Sequence, residues 1–536
     1  MAAAEVLDWI NHKTGALQKR RALQFLSDSG FGNFQFSGDH IAEQVLFQNK
    51  HGVLEIHSPI SVRNFLVSAV ERQDSVSESD KDLFLDKLLG SAPTTIQTLL
   101  HSLPKYSESG EGDTQKLNMF RDSRDKCHVH FRNGTIEITA KGVKLLSRTS
   151  ENAGCIWKSK VIDRDIAIDE ASAADRSSPF RDFVYYAMMS KTEPRTDLAN
   201  PQSESDTDRW KDALDAFETG FGYLVHEYNP PDQAKVIVFT DLDSSPGRTD
   251  GGTGKSVTME CVKYFRKIAF VDGKAFRKAL NESSRFNFSS VQVDTGFVFI
   301  NDLNPDFDLT QLFSIITDDM TVEQKGRNKV VISKDKKPKM GLTTNYVITG
   351  VGNSFERRQH IVEFGNFWSR CGRKGIKPKD IIGKNIGEGF DEDDWNDFYN
   401  YGFCCVHRYL AEGLLTGGNS SYQIKALTQS IEGLGSSGDI VRWIDNWVRT
   451  TRIEGDYHKT GIVIDDLYAS FIADNDDLQE QWTMAKFFDA VFKFAQGSNE
   501  FEYNSEKAST GDTKSARRIR VGSKGKQRDV VKITDR

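Results

Sequence analysis

The sequence predicts an α/β protein: a P-loop core on a mainly parallel sheet, a mixed α+β segment before it, and a helical, winged-helix-like segment after it. Three observations lead there. "AKVIVFT" (234–240) is a short apolar strand that runs into the glycine-rich "PGRTDGGTGKSVTME" (246–260). Two more apolar strands, "GFVFIND" (296–302) and "KMGLTTN" (339–345), are joined through helices, which implies a mainly parallel sheet with its ligand at the carboxyl edge. Helices followed by a strand pair close the chain.

Taken in order, "KDLFLDKLLGSAPTTIQTLLHSL" (81–103) has helical amphipathic spacing, and "HVHFRNGTIEITAKGVKLLS" (128–147) alternates around Asn133-Gly134 as a hairpin does. From about 170 the chain turns polar and ends in the linker-like "EPRTDLANPQSESDTD". "RWKDALDAFETGFGYLVHEY" (209–228) is a helix leading into the core, and the glycine loop opens a helix with Val257, Cys261 and Phe265 on one side. "DEDDWNDFYNYGFCCVHRYLAEGLL" (391–415) is a helix rich in core aromatics. Beyond it lie "DIVRWIDNWVRTT", two helices around an acidic turn (462–496), a strand pair and the basic "TKSARRIRVGSKGKQRDVVK". That last stretch reads as a solvated tail or as the wing of a DNA-binding fold. The expected domains are 1–208, 209–385 and 386–536.

Composition removes several classes. The 536 residues contain no apolar run long enough to span a bilayer, and the N-terminus lacks the apolar stretch of a secretory signal. Six cysteines without C-x-x-C spacing read as reduced thiols of a cytoplasmic protein, without a membrane partner. A net charge of −7 does not advertise nucleic-acid binding, so any such binding must come from local basic surfaces.

The chemistry concentrates in four places. In the loop, Gly251, Gly252, Thr253 and Gly254 supply backbone N–H groups that approach phosphate oxygens, Lys255 a mobile positive charge, and Ser256 a hydroxyl for Mg²⁺. The usual first glycine is replaced by Thr249, with Gly247 two residues earlier. The second strand ends in Asn301-Asp302, where an acid reaching the Mg²⁺ shell is expected. Asp302 must therefore hold the metal shell, activate water, or share both tasks. The third strand ends in Asn345, an amide placed to orient water or simply a turn former. Arg357 and Arg358 precede a strand-like run and are either an arginine finger reaching a neighbour's ATP or a solvated pair. Between the second and third strands, "TVEQKGRNKVVISKDKKPK" suggests a hairpin whose tip carries Lys325, Arg327 and Lys329, which grips a phosphate backbone or faces solvent.

This order of strand, P-loop, acid-ended strand, basic hairpin, Asn-ended strand and Arg-Arg resembles the superfamily 3 helicases. More narrowly, it looks like the helicase half of phage, plasmid and poxvirus-type primase-helicases. "LTQLFSIITDDMTVEQKGRN", "PKMGLTTNYVI" and "SFERRQHIVEF" are its most specific stretches, and residues 210–370 carry it. The resemblance implies a P-loop AAA+-like ATPase core using ATP and Mg²⁺. It implies a ring, usually a hexamer, that translocates on single-stranded or forked DNA during replication of a phage, plasmid or other mobile element in its host's cytoplasm. Lys255 and Ser256 would hold phosphates and Mg²⁺, Asn345 would be the polar sensor, Arg357 or Arg358 the finger, and Lys325 to Lys329 the DNA-contacting hairpin. Thr249 and Asn301 depart from the pattern and bear on the rate of hydrolysis. No persuasive D-x-D constellation followed by a catalytic histidine precedes the core, and "HVH" at 128–130 reads as structural, so priming, if it occurs at all, is expected from a separate primase or polymerase. The alternative is an ATP-binding replication initiator or DNA-binding regulator with little motor activity.

Overall fold

The computed structural model describes the chain apart from residues 1–7, 12, 36–43, 75, 91–92, 148–153, 169–177, 190–203, 230–233, 243–250, 277–285, 293, 304–306, 308, 324–329, 346–356, 417–439, 441–442, 445, 448–461, 476–481, 498–500, 504–518, 522–527, 532 and 536. At its centre is a five-stranded, wholly parallel sheet in the spatial order Ile268–Asp272, Phe297–Asn301, Lys339–Thr343, Val236–Asp241, Gln359–Phe364. Alternate residues serve opposite faces, as the two-residue period of a strand requires. Ile237 and Phe239 join the apolar core on one face, while Val236 and Val238 join that on the other. Burial on both faces explains why the central strands read as unbroken apolar runs.

The sequence foresaw three of these strands and the strand-like run after the arginines, but not Ile268–Asp272. That strand lies at the sheet edge, with Ala269 and Val271 buried and Phe270 54% exposed. Its signal is thus a short alternation rather than an apolar block.

On the first face, the helix Glu204–Val225 packs along the helix Glu392–Glu412. Gly222 makes this close approach possible, since a Cβ there would stand 2.2 Å from the Cys405 carbonyl oxygen. The same core takes in Phe180 and Phe183 from the helix Pro179–Met188, and Val129, Phe131, Ile136 and Ile138 from the preceding hairpin. One core therefore draws on residues from all three expected segments.

That hairpin pairs Lys126–Phe131 with Gly134–Thr139, and a third strand, Gly142–Leu146, follows. Its turn is Arg132-Asn133, one residue before the dipeptide the sequence suggested, because Gly134 already pairs with Phe131. Further toward the N-terminus, a six-stranded mixed sheet stands beside the helices Pro59–Glu71, Glu78–Leu89 and Pro93–His101.

The C-terminal helices Ile464–Asp474 and Met484–Gly497 close over Phe471, Trp482 and Phe487. The basic stretch contributes strands: Ile519–Val521 pairs antiparallel with Arg528–Val531, which also pairs with Ile462–Val463. Ile533–Asp535 pairs with Phe501–Tyr503. Lys514, Arg517, Arg518, Lys524, Lys526 and Lys532 lie outside the described residues. All six cysteines are free thiols, and no helix among the described residues is long and apolar enough to cross a membrane.

Candidate nucleotide site

The first sheet strand ends at Asp241, which is buried, and the described chain resumes at Gly251. Gly254 has φ +100°, a conformation that favours glycine, and from it the chain turns into the short helix Lys255–Glu260. Beyond Glu260 the helix tightens into a 3₁₀ turn, Cys261–Tyr264. Its buried side carries Thr258, Met259, Cys261, Val262 and Phe265, whereas Val257 is 43% exposed. The expected Val257–Cys261–Phe265 stripe is thus corrected at its first member. Val257 lies off the face that Thr258 and Met259 turn to the sheet.

Lys255 is buried, and its ammonium meets three acceptors: Asp241 Oδ1, Thr253 Oγ1 at 3.1 Å and Asn345 Oδ1 at 2.9 Å. Burial lowers its pKa, and the Asp241 carboxylate opposes that by favouring the charged form. Thr253 donates its hydroxyl to the same Asp241 oxygen at 2.6 Å. Loop, first strand and third central strand therefore meet at one ammonium.

Ser256 faces the second predicted strand end. Its exposed hydroxyl donates to Asn301 Oδ1 at 2.8 Å, and Thr343 donates to the same oxygen at 2.9 Å. Asn301 thus organises two hydroxyls, a task that needs an acceptor but no charge. The Asp302 N–H donates to Thr343 Oγ1 at 3.0 Å. Asp302 adopts φ +57°, uncommon outside glycine, which turns the chain sharply after the strand. Its carboxylate, partly exposed, pairs with Lys274 at 2.9 Å and lies 3.5 Å from Asn345 Nδ2. Gly273 packs against this turn: a Cβ there would stand 2.6 Å from the Asn301 carbonyl oxygen and 2.6 Å from the Leu303 nitrogen.

The structure thus brings together Thr253, Lys255, Ser256, Asp302 and Asn345 at the carboxyl edge, with Gly251, Gly252 and Gly254 beside them. Asp241, Gly273, Lys274 and Thr343 belong to the same place and were missed. Asp241 left one visible signal, an acid directly after the five-residue apolar-to-threonine run of a buried strand. Arg357 and Arg358 stand elsewhere. They precede Gln359, which pairs with Val236 at the amino edge, so roughly 17 Å of strand separates them from Asp241. Arg357 is exposed, while the Arg358 guanidinium lies 5.0 Å above the Phe313 ring.

The hairpin around Lys325 exists in its arms, with Met320–Val322 paired to Val330–Ile332. Its tip, with Lys325, Arg327 and Lys329, lies outside the described residues. His128 and His130 are buried and bonded to Asp122 at 3.1 Å and Thr135 at 2.9 Å, a structural use.

The residues fit a nucleotide phosphate chain with Mg²⁺. A buried ammonium adjoins glycines at which a Cβ would meet no atom of the described residues within 4 Å, as at Gly251 and Gly252. An exposed serine hydroxyl and a partly exposed carboxylate stand at the neighbouring strand ends, a donor set suited to a hydrated hard cation. No cluster of three or more His, Cys, Asp or Glu side chains suited to an all-protein metal cage exists among the described residues.

No protein-family model matches the sequence, and neither does any curated protein. Among solved structures, the apo NrS-1 C-terminal region (305–718) aligns with a TM-score of 0.39 at 11% identity, over 96% of this chain and 98% of that one. The A-form apo structure of the NrS-1 C-terminal region gives a TM-score of 0.37 at 10% identity, over 96% and 98%. JCV helicase with a bound phenoxyphenyl acetamide aligns with a TM-score of 0.21 at 11% identity, over 37% of this chain and 66% of that one.

Proposed function

We propose that this chain is a P-loop, AAA+-like ATPase of the superfamily 3 helicase kind, driving translocation on single-stranded or forked DNA in the replication of a phage, plasmid or other mobile element. One observation carries the reading. Lys255 and Ser256 follow the first strand of a parallel sheet and bond directly to Asn345, just past the end of the strand beside it, and to Asn301, at the end of the strand beyond that one. An ATP phosphate chain would be held by the Gly251–Gly254 backbone and Lys255, and Mg²⁺ by Ser256 with Asp302 in its outer shell. The metal would supply neutralisation of charge developing on the phosphates.

The chain's own residues do the rest. Lys255 presents positive charge, Asn301 fixes the Ser256 hydroxyl, and Asp302 accepts hydrogen bonds from an attacking water that Asn345 helps to orient. Arg357 and Arg358 lie too far from their own loop to act there. A finger role for either would need the site of a neighbouring subunit, as in the ring, a hexamer by resemblance, that this reading includes. The tip residues Lys325, Arg327 and Lys329 are the proposed grip on the DNA strand.

A replication initiator that binds ATP with little turnover is favoured by one feature, the neutral Asn301 where an acid is expected. Turnover measured with and without single-stranded DNA separates the two, with Lys255→Ala as control. Stimulated turnover that the variant lacks supports the motor. Binding without turnover supports the initiator, and wild-type turnover by Lys255→Ala overturns the nucleotide site.

A further inference from the structure

We propose that Asp241 is a built-in competitor for the nucleotide's phosphates, holding Lys255 in the empty site and thereby setting nucleotide affinity. The proposal rests on the nucleotide reading above. An ammonium has three N–H donors, and those of Lys255 are matched by Asp241, Thr253 and Asn345. A phosphate oxygen can gain Lys255 only if one of these partners gives it up. Thr253 and Asn345 are neutral and lose one hydrogen bond each. Asp241 brings a full negative charge into the space that the β and γ phosphates must approach.

Asp241 is held in place at its backbone. It is the last residue of a central strand, in register with Phe364, and the next N–H, of Leu242, donates to the Phe364 carbonyl at 2.9 Å. Its Oδ1 is tied as well to Thr253, across the whole loop. Both Asp241 and Lys255 are buried, so solvent screens their interaction little. Binding therefore exchanges one anion for another around a fixed cation, and leaves a carboxylate facing phosphate. A P-loop lysine reaches the β and γ phosphates, so the competition falls on nucleotides that carry them.

The charge, not the side chain's size, is the operative feature. Asparagine at 241 still accepts the Thr253 hydroxyl, while serine removes the charge with a smaller group. Glutamate keeps the charge.

The test is equilibrium binding of ATP, ADP and AMP to the full chain in Mg²⁺ buffer, by displacement of a fluorescent nucleotide, with ligand-induced thermal stabilisation read in parallel. Asp241→Asn and Asp241→Ser are expected to bind ATP and ADP about tenfold more tightly, the scale on which one nearby like charge acts. AMP should change little, and Asp241→Glu should stay near wild type. Unchanged or weaker ATP binding in both neutral variants, with binding still lost in Lys255→Ala, overturns the role of Asp241 and leaves the nucleotide site standing. An equal gain for AMP also overturns it, because the effect would then not lie at the β and γ phosphates. Wild-type binding by Lys255→Ala overturns the nucleotide reading and this inference with it.

Discussion

Adding a single methyl group at Gly273 should separate catalysis from binding in this site. Gly273 is not among the residues with positive φ, so alanine suits its backbone and the consequence is steric alone. The new Cβ would stand 2.6 Å from the Asn301 oxygen, 2.6 Å from the Leu303 nitrogen and 2.7 Å from the Asp302 carbonyl carbon. All three are backbone atoms, so no side chain can rotate away. Reaching ordinary contact requires the Asn301–Leu303 turn to move by roughly 0.8 Å. Overpacking of this kind costs about 1–3 kcal/mol of stability. The turn that moves carries Asp302, and a misplacement near 1 Å can cost about a hundredfold in rate. Lys255 and Thr253 lie on other elements and should keep their geometry. Steady-state ATP turnover, nucleotide affinity and thermal unfolding on one preparation provide the assay. The expected result is a large loss in kcat with affinity within about twofold of wild type. Wild-type kcat with a lowered melting temperature would mean that the turn yields without moving Asp302, and the reasoning would fail.

Asp302→Asn should retain nucleotide binding and lose hydrolysis. Asp294 offers no substitute, because it is buried and engaged by Lys267 at 2.7 Å and Ser159 at 2.5 Å, so brisk turnover by the variant would refute the assignment of Asp302. Arg357→Ala should reduce turnover by about a thousandfold while keeping ATP binding, and Arg358→Ala by less, since Arg358 is held on Phe313. Mixing Arg357→Ala with Lys255→Ala subunits should restore some activity, and no rescue at any ratio would count against action between subunits. Lys325→Ala with Lys329→Ala should weaken single-strand binding and flatten its log–log salt slope by about 0.7 per lost contact, with basal turnover intact. An unchanged slope would return the hairpin to a surface role. Burial pushes the pKa of His130 down to about 3 and those of His226 and His360 down to about 4. Between the unfolded value of about 6.5 and these values, the unfolded chain binds protons that the folded chain refuses. Stability should therefore be full above that value and fall as pH drops toward 4. Equal urea midpoints at pH 7 and pH 5 would contradict this.

What the sequence revealed depended on how local each signal was. Strands buried on both faces announce themselves, and Val236–Asp241, Phe297–Asn301 and Lys339–Thr343 were legible for that reason. Ile268–Asp272 was not, because an edge strand with Phe270 facing out carries only a weak alternation. Lys255 and Ser256 were legible because glycines and a fixed spacing frame them. Asp241 stands 14 residues before Lys255, and the contact between them exists only once the loop has folded back. Gly273 and Lys274 lie at the end of the very strand that was missed, so their part at Asp302 was hidden with it. Asn301, by contrast, was noticed as a missing charge, and the geometry gives the reason its amide serves there: it gathers the Ser256 and Thr343 hydroxyls.

The two ends of the parallel strands are held by different means, and the amino end bears on the site at the other. Near that end, Arg266 donates to the Val225 carbonyl at 2.6 Å and to the His128 carbonyl at 2.8 Å, and pairs with Asp122 at 3.4 Å. Asp122 accepts from the His128 N–H at 2.7 Å and the Glu227 N–H at 2.9 Å. Burial alone would push the Asp122 carboxyl up, but the His128 hydrogen bond and the Arg266 charge outweigh it and hold the group below the ordinary carboxylate range. Lys339, the first residue of the third central strand, is pushed down to about 7 by burial and donates to the Tyr223 carbonyl at 2.8 Å. Buried ions of this kind are weak sources of stability, because desolvation cancels much of their attraction. Their bonds are directional, however, and run to backbone atoms of the hairpin strand, the long helix and the segment after it. Together they tie the hairpin, the long helix and the strand starts to one another. The strand starts are thereby fixed against the N-terminal hairpin, and a strand's length is set by its backbone. Fixing the start of Lys339–Thr343 helps set where Thr343 emerges at the far edge, where it bonds Asn301 and the Asp302 N–H beside Lys255.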